Sequence, residues 1–301
     1  MAGGVPMGDR RPRGCLVRLA PLVVAGLVAA FVAWQGCQRG PFGRRQIVAM
    51  NPQQEQRLGV EAFQQVLQEN GANVIRDGPA ADAVKEITRR LVRATSQPDF
   101  LRASQQAEPP RFEWDVRLVR SQEVNAFCLP GGKMVVYTGI MPVALTHSGL
   151  ATVMGHEISH ALAHHGAERM AQTQIVQILM GGASGSLGDM DPGQRQQVMQ
   201  VLNAGAQFGI LKYSRKHESE ADHMGLLLMA AAGYDPRETV KFWERMQKAT
   251  AGGQRPPEFL STHPSHETRI RDLMGWLPDA EPLYKANPAP DGDEQLPTLG
   301  P

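Results

Sequence analysis

A mainly helical α+β fold, with one small antiparallel sheet ahead of a central helix, is what this sequence predicts. Three observations carry that expectation. Apolar residues recur every three to four positions over most of the chain, the period of a helix with one buried face. A single region, residues 112–138, alternates apolar and polar residues and is broken by Pro130-Gly131-Gly132, the pattern of strands and a hairpin. The chain has only three cysteines, Cys15, Cys37 and Cys128, too few and too scattered for a disulfide scaffold or a cysteine-ligated metal site. With 301 residues, 42% of them hydrophobic, a proper apolar core can be buried.

The first element is an uncharged run from Leu19 to Gln38, centred on Leu22–Trp34 and preceded by Arg10, Arg11, Arg13 and Arg18. Twenty residues as a helix span about 30 Å, the thickness of a bilayer core. Basic residues in front keep that end cytoplasmic and put the body outside the cytoplasm. Two membrane readings stay open: a retained signal-anchor helix, or a cleaved signal with a lipid on Cys37. Residues 1–44 are accordingly expected to be a signal-anchor or lipoprotein signal segment.

Residues 51–75 follow as an amphipathic helix with Leu58, Ala62, Val66 and Leu67 on one face. Ala80–Thr95 forms a second, with Val84, Ile87, Leu91 and Val92. Gln97–Pro110 reads as a polar linker. Phe112–Val119 reads as a strand, and Val124–Leu129 and Lys133–Thr138 as the arms of the hairpin. The pattern is helical from Leu150, breaks at Gly181–Asp189, and is helical again from Pro192 to about Ala232. Asp235–Ala249 and His266–Trp276 read as the last helices. Residues 278–301 are Pro-rich and acidic and are expected to be a disordered tail.

The net charge of +1 conceals a division. Residues 1–45 hold seven arginines and one aspartate, whereas residues 278–301 hold one lysine against five acidic residues. The body between is almost neutral. The chain as a whole is not the strongly basic kind that binds nucleic acid, and aromatics at only 6% argue against stacking platforms for single strands.

The chemistry concentrates in His156-Glu157-Ile158-Ser159-His160. On a helix, His156 and His160 lie about 40° apart around the axis, so both imidazoles reach one metal ion, and neutral imidazoles suit zinc. Glu157 lies about 100° from His156, beside the metal, where it can take a proton from water. Ala151, Met154, Ile158, Ala161 and Leu162 make the opposite face apolar. By chance this pattern is expected only about 0.015 times in a chain of this composition.

Two histidines need a third protein ligand. In His217-Glu218-Ser219-Glu220-Ala221-Asp222, Glu218 and Asp222 share a helix face and Glu220 points about 200° away. Glu218 is the favoured ligand, with Asp222 placed to accept the second ring N–H of a ligating histidine. Glu220 remains the alternative ligand.

These residues resemble a known family. His156-Glu157-x-x-His160 followed by Glu218-x-x-Ala221-Asp222 is similar to the gluzincin pattern of membrane-associated zinc metalloendopeptidases: HtpX-type heat-shock proteases, CAAX-prenyl proteases, mitochondrial inner-membrane quality-control proteases and periplasmic proteases of outer-membrane assembly. Asn125-Ala126-Phe127 with Pro130-Gly131-Gly132, Ala231–Pro236, and Thr262–His266 through Arg269-Ile270 resemble further family motifs. The likeness covers roughly residues 45–277 and implies a zincin-like metalloprotease domain there, with one Zn2+. It implies His263 and Arg269 near the site as oxyanion stabilisers, or His263 in the fourth zinc position as a latent plug. Asn125, Ala126 and Phe127 would belong to a strand that pairs with substrate. Unfolded or misassembled membrane and envelope polypeptides are the implied substrates, with a membrane-anchored body facing the periplasm or envelope. A tethered chaperone using a latent zincin fold is the alternative from another class, and zinc hydrolysis of a non-peptide substrate a further one.

Overall fold

A computed structural model describes residues 15–108, 111–187, 191–250, 259, 263 and 268–297. Helix α1 (Cys15–Gln35) leads into a two-stranded hairpin, β1 (Cys37–Arg39) and β2 (Arg45–Ile47). Helices α2 (Pro52–Asn70) and α3 (Pro79–Ala94) flank the short strand β3 (Val74–Ile75). A capping box opens α2. The Asn51 side chain accepts from the Gln54 amide, and the Gln54 side chain accepts from the Asn51 amide. The expected linker at 97–110 holds a short helix, α4 (Pro98–Ala103), pinned by the fully buried Phe100.

Strands β4 (Asp115–Val119), β5 (Ala126–Leu129) and β6 (Lys133–Tyr137) complete a four-stranded sheet in the order β3-β4-β6-β5. The expected antiparallel hairpin is β5–β6, and β4 joins β6 in parallel. Gly131 and Gly132 turn the hairpin at φ +73° and +86°, a conformation that disfavours other residues. β5 is left at the sheet edge.

A short helix, α5 (Met141–Ala144), precedes the central helix α6 (His147–Leu162), in which every residue from Ser148 to Ser159 is buried. Thr146 caps α6 by accepting from the Gly149 amide at 3.0 Å, an interaction worth about 1 kcal/mol. His164 takes a left-handed conformation at φ +54°, so α7 (His165–Ser186) departs in a new direction. Helices α8 (Pro192–Ala231), α9 (Glu238–Thr250) and α10 (Arg269–Ala286) follow. The main core gathers Ile87 and Leu91 of α3, Met134 and Val136 of β6, Leu150 and Met154 of α6, and Leu227 of α8.

Three expectations change. Gly181, Gly182 and Gly185 do not break the chain. They lie inside α7; a Cβ on Gly182 would come within 2.3 Å of Ala25 Cβ and one on Gly185 within 3.1 Å of Pro21 Cβ, so Gly182 and Gly185 let α7 close against α1. Helix α1 ends at Gln35, short of Gln38, and among the described residues no helix is long and apolar enough to cross a membrane. Residues 278–297 are ordered. Helix α10 continues through Pro278 and Pro282, with Leu273 and Ala280 buried. Beyond it the chain is strapped to the start of α6: the His147 amide donates to Glu294, the Ser148 amide to Gly292, and the Leu296 amide to the Leu145 carbonyl. Local composition predicted disorder there. Backbone pairing with a distant segment, which composition does not encode, decided otherwise.

Candidate metal centre

Helices α6 and α8 bring the site together because two glycines let them touch. A Cβ on Gly225 would lie 2.9 Å from the His156 amide nitrogen, and one on Gly155 would lie 3.1 Å from the Gly225 carbonyl. At that separation His156 and His160 on α6 face Glu218 on α8. The two Nε2 atoms are 3.0 Å apart; His156 Nε2 is 3.4 Å from Glu218 Oε2, and His160 Nε2 is 3.4 Å from Glu218 Oε1. His263 enters from the segment before α10, its Nδ1 3.1 Å from Glu218 Oε1 and 3.3 Å from His156 Nε2.

Ligating atoms of His156, His160, Glu218 and His263 all lie within 4.8 Å of one another. In a tetrahedral shell with bonds of about 2.1 Å, neighbouring ligand atoms are about 3.4 Å apart. Three imidazoles and a carboxylate at these separations fit zinc. Burial works against charge here, yet Asp222 and Glu218 outweigh it and hold the His156 pKa up at about 10. Burial likewise opposes ionisation of Glu218, but the surrounding histidines hold its carboxyl far below the usual carboxylate range.

Glu157 is buried beside this cluster. Its Oε2 accepts the Cys128 amide of β5 at 3.2 Å, and its Oε1 lies 3.3 Å from His263 Nε2. Because the Cys128 amide points to Glu157, it is not spent on β6, and this side of the edge strand faces the site. Asn125, Ala126 and Phe127 stand on or next to the same strand. Asn125 accepts the Tyr137 amide through its carbonyl, Ala126 is buried, and Phe127 packs edge-on to Tyr137. Val124 accepts the amide of Phe259, four residues before His263. Thr262, Pro264, Ser265 and His266 of the C-terminal motif lie outside the described residues.

Asp222 stands where the sequence placed it, its Oδ1 3.0 Å from His156 Nδ1. Glu220 does not face the cluster; it takes Arg44 Nε at 2.6 Å and His165 Nε2 at 2.9 Å. Arg269 corrects an expectation. Instead of facing a substrate oxygen, its fully buried guanidinium donates to Asp222 Oδ2 at 2.6 Å and to Glu218 Oε2 at 2.9 Å, and lies over the Trp243 ring at 3.9 Å. It braces two carboxylates from behind. Sequence reading missed the buried His165, Glu168 and His217 and the half-buried Arg44, which form a polar cluster next to His160. Helical spacing carried no signal for His165, because the chain turns at His164.

Comparison with known proteins agrees with this geometry. The chain is 35% identical over 228 residues to "Mitochondrial metalloendopeptidase OMA1" of Schizosaccharomyces pombe, covering 75% of this chain and 62% of that protein. It is 30% identical over 244 residues to "Metalloendopeptidase OMA1, mitochondrial" of Homo sapiens, covering 79% and 45%. With "Beta-barrel assembly-enhancing protease" of Escherichia coli it shares 33% identity over 169 residues, 55% of this chain and 35% of that one. It thus spans between about a third and two thirds of the length of these relatives. The model of Peptidase family M48 matches residues 86–277, which takes in α6, α8 and all four clustered side chains. The three histidines and the glutamate form a cluster that could hold a metal ion, as a zinc metallopeptidase fold requires, and the chain belongs to Peptidase family M48.

Proposed function

We propose that this protein is a zinc-dependent metalloendopeptidase, attached to a membrane through α1, that hydrolyses misfolded or unassembled polypeptides. The observation that carries the reading is Glu157, buried next to three convergent ligand side chains with one carboxylate oxygen held by a backbone amide and the other turned to the cluster. A purely structural zinc site has no use for that carboxylate. The relatives are named as endopeptidases and a protease, which leaves the chaperone reading without support.

His156, His160 and Glu218 would hold the zinc. When bound, zinc supplies a Lewis acid for the scissile carbonyl and acidifies water towards neutral pH. Glu157 accepts the proton of the attacking water at Oε1, since Oε2 is engaged by the Cys128 amide, and then passes it to the leaving amine nitrogen. The edge of β5 offers the outward-facing backbone of Ala126, flanked by Asn125 and Phe127, to an extended peptide. His263 completes a fourth ligand and would close the position a substrate needs, keeping the enzyme latent. Replacing it (His263→Ala) is expected to raise basal proteolysis; an inactive variant would favour a role for His263 in stabilising the transition state.

Support for attachment comes from the arginines ahead of the apolar run and from the α1 side chains left in solvent, among them Val24 (58% exposed), Leu27 (67%) and Trp34 (75%). Cys37, exposed at the head of β1, is the residue a lipid would modify. The arginines also orient the body away from the cytoplasm, towards a periplasm or envelope. Carbonate-washed membranes should retain the protein, and its release would refute the attachment. For the activity, incubation of the purified chain with casein should give fragments, none after chelation, and fragments again when zinc is restored. Cleavage that ignores the chelator, or no cleavage by either the wild type or His263→Ala, would refute it.

A further inference from the structure

His156 and His160 of α6 are braced from behind in different ways. His156 Nδ1 stands 3.0 Å from Asp222 Oδ1, and Asp222 takes Arg269 Nε. At His160 the corresponding support is longer. His160 Nδ1 meets His165 Nδ1 at 2.9 Å, His165 Nε2 meets Glu220 Oε2 at 2.9 Å, and the same oxygen takes Arg44 Nε at 2.6 Å. Arg44 also forks Glu168, with Nη1 3.1 Å from Oε1 and Nη2 2.9 Å from Oε2. One guanidinium thus bridges two buried carboxylates, one from α7 and one from α8. Arg44 itself stands just before β2, in the hairpin that continues from α1.

The order of donors follows from the geometry. His160 turns Nε2 to the cluster, so its N–H sits on Nδ1 and donates to His165. His165 then accepts at Nδ1 and carries its own hydrogen on Nε2, which it gives to the Glu220 carboxylate. A neutral imidazole does both at once. The Arg44 fork fixes the carboxylate at the far end.

We propose that Arg44, Glu220 and His165 form a positioning relay that sets the ring orientation and tautomer of His160, the counterpart of the Arg269–Asp222 pair behind His156. The inference rests on the reading that His160 ligates zinc. Its consequence is that the hairpin after α1 belongs to the metal centre, because it carries the guanidinium on which the relay ends.

The full chain tests this with three measurements: zinc affinity by chelator competition, the visible spectrum of the cobalt-substituted protein, and the melting temperature of the metal-free protein. His165→Leu and Arg44→Met should weaken zinc binding about 10–100-fold, the usual loss when an outer partner of a ligand is removed, and should alter the cobalt bands. His165→Gln, which can accept from His160 and donate to Glu220, should recover affinity to within about three-fold. Glu55→Leu removes a buried carboxylate that pairs with His164, outside the relay, and should lower the melting temperature while leaving zinc affinity unchanged. Equal losses of zinc in His165→Leu and Glu55→Leu, or no loss in His165→Leu, would overturn the relay. Should His165→Leu not fold, Arg44→Lys serves in its place, keeping the charge and losing the fork; weaker zinc supports the relay and unchanged zinc overturns it. If His160→Ala retains full zinc affinity, the ligand reading itself has failed.

Discussion

Helices α6 and α8 and helices α1 and α7 are both pairs closed over glycine, and they differ in what they leave to solvent. Across α6 and α8, Gly155 and Gly225 bring the backbones together, and the residues around them are buried on all sides. The charged groups there are paired: His156 with Asp222, Asp222 and Glu218 with Arg269. Across α1 and α7, Gly182 and Gly185 seat on Pro21 and Ala25, while the outer faces keep apolar side chains exposed on both helices, including Leu27 and Trp34 on α1 and Met170 and Leu179 on α7. The first pair is a finished core that fixes chemistry. The second is half a core, with an apolar face left open of the kind that marks a contact with another surface. Close packing over glycine therefore does not by itself mark an active centre; what distinguishes the centre is that its polar groups are matched in the same buried volume.

Substitutions can break or sharpen that contrast. The largest effect is expected from Glu218→Ala, which removes the ligand contributed by α8 and should abolish both zinc binding and casein cleavage; metal analysis of the purified variant checks it. Next comes Gly225→Val at the crossing. Added bulk against the His156 backbone should cost about 1–3 kcal/mol of stability and weaken zinc binding together, read as a lower melting temperature and a lower chelator threshold. Smallest at the centre is Gly182→Val in the other pair. It should loosen α1 from α7, visible as faster proteolytic clipping of α1, yet leave zinc content and cleavage at wild-type levels. Loss of zinc in Gly182→Val would erase the distinction between the two pairs.

Much of the first pair was legible in the sequence. His156, Glu157 and His160 follow from helical spacing alone, and the same geometry separates Glu218 from Glu220, whose carboxylate turns to Arg44 and His165. Asp222 is legible for the same reason. Arg269 was placed near the site by resemblance, but its orientation depends on the packing of α10 on α8, and Trp243 and the two carboxylates hold it behind the ligands. His165 was hidden because the left-handed turn at His164 resets the helical phase. Arg44 lies 176 residues from Glu220, and no local pattern announces such a pairing. The strap over the start of α6 was missed likewise, since Gly292 and Glu294 act through backbone carbonyls that composition does not reveal.

The most direct measurement is a paired assay on Glu157→Gln, recording zinc content and casein cleavage on the same preparation. Cleavage should fall by about 10²–10⁴-fold or more, the range a general acid–base group contributes, while one zinc per chain remains bound. A variant that keeps its zinc and cleaves casein like the wild type would contradict the assignment of Glu157 as the proton-transferring group, and with it the account of this centre as a peptidase site.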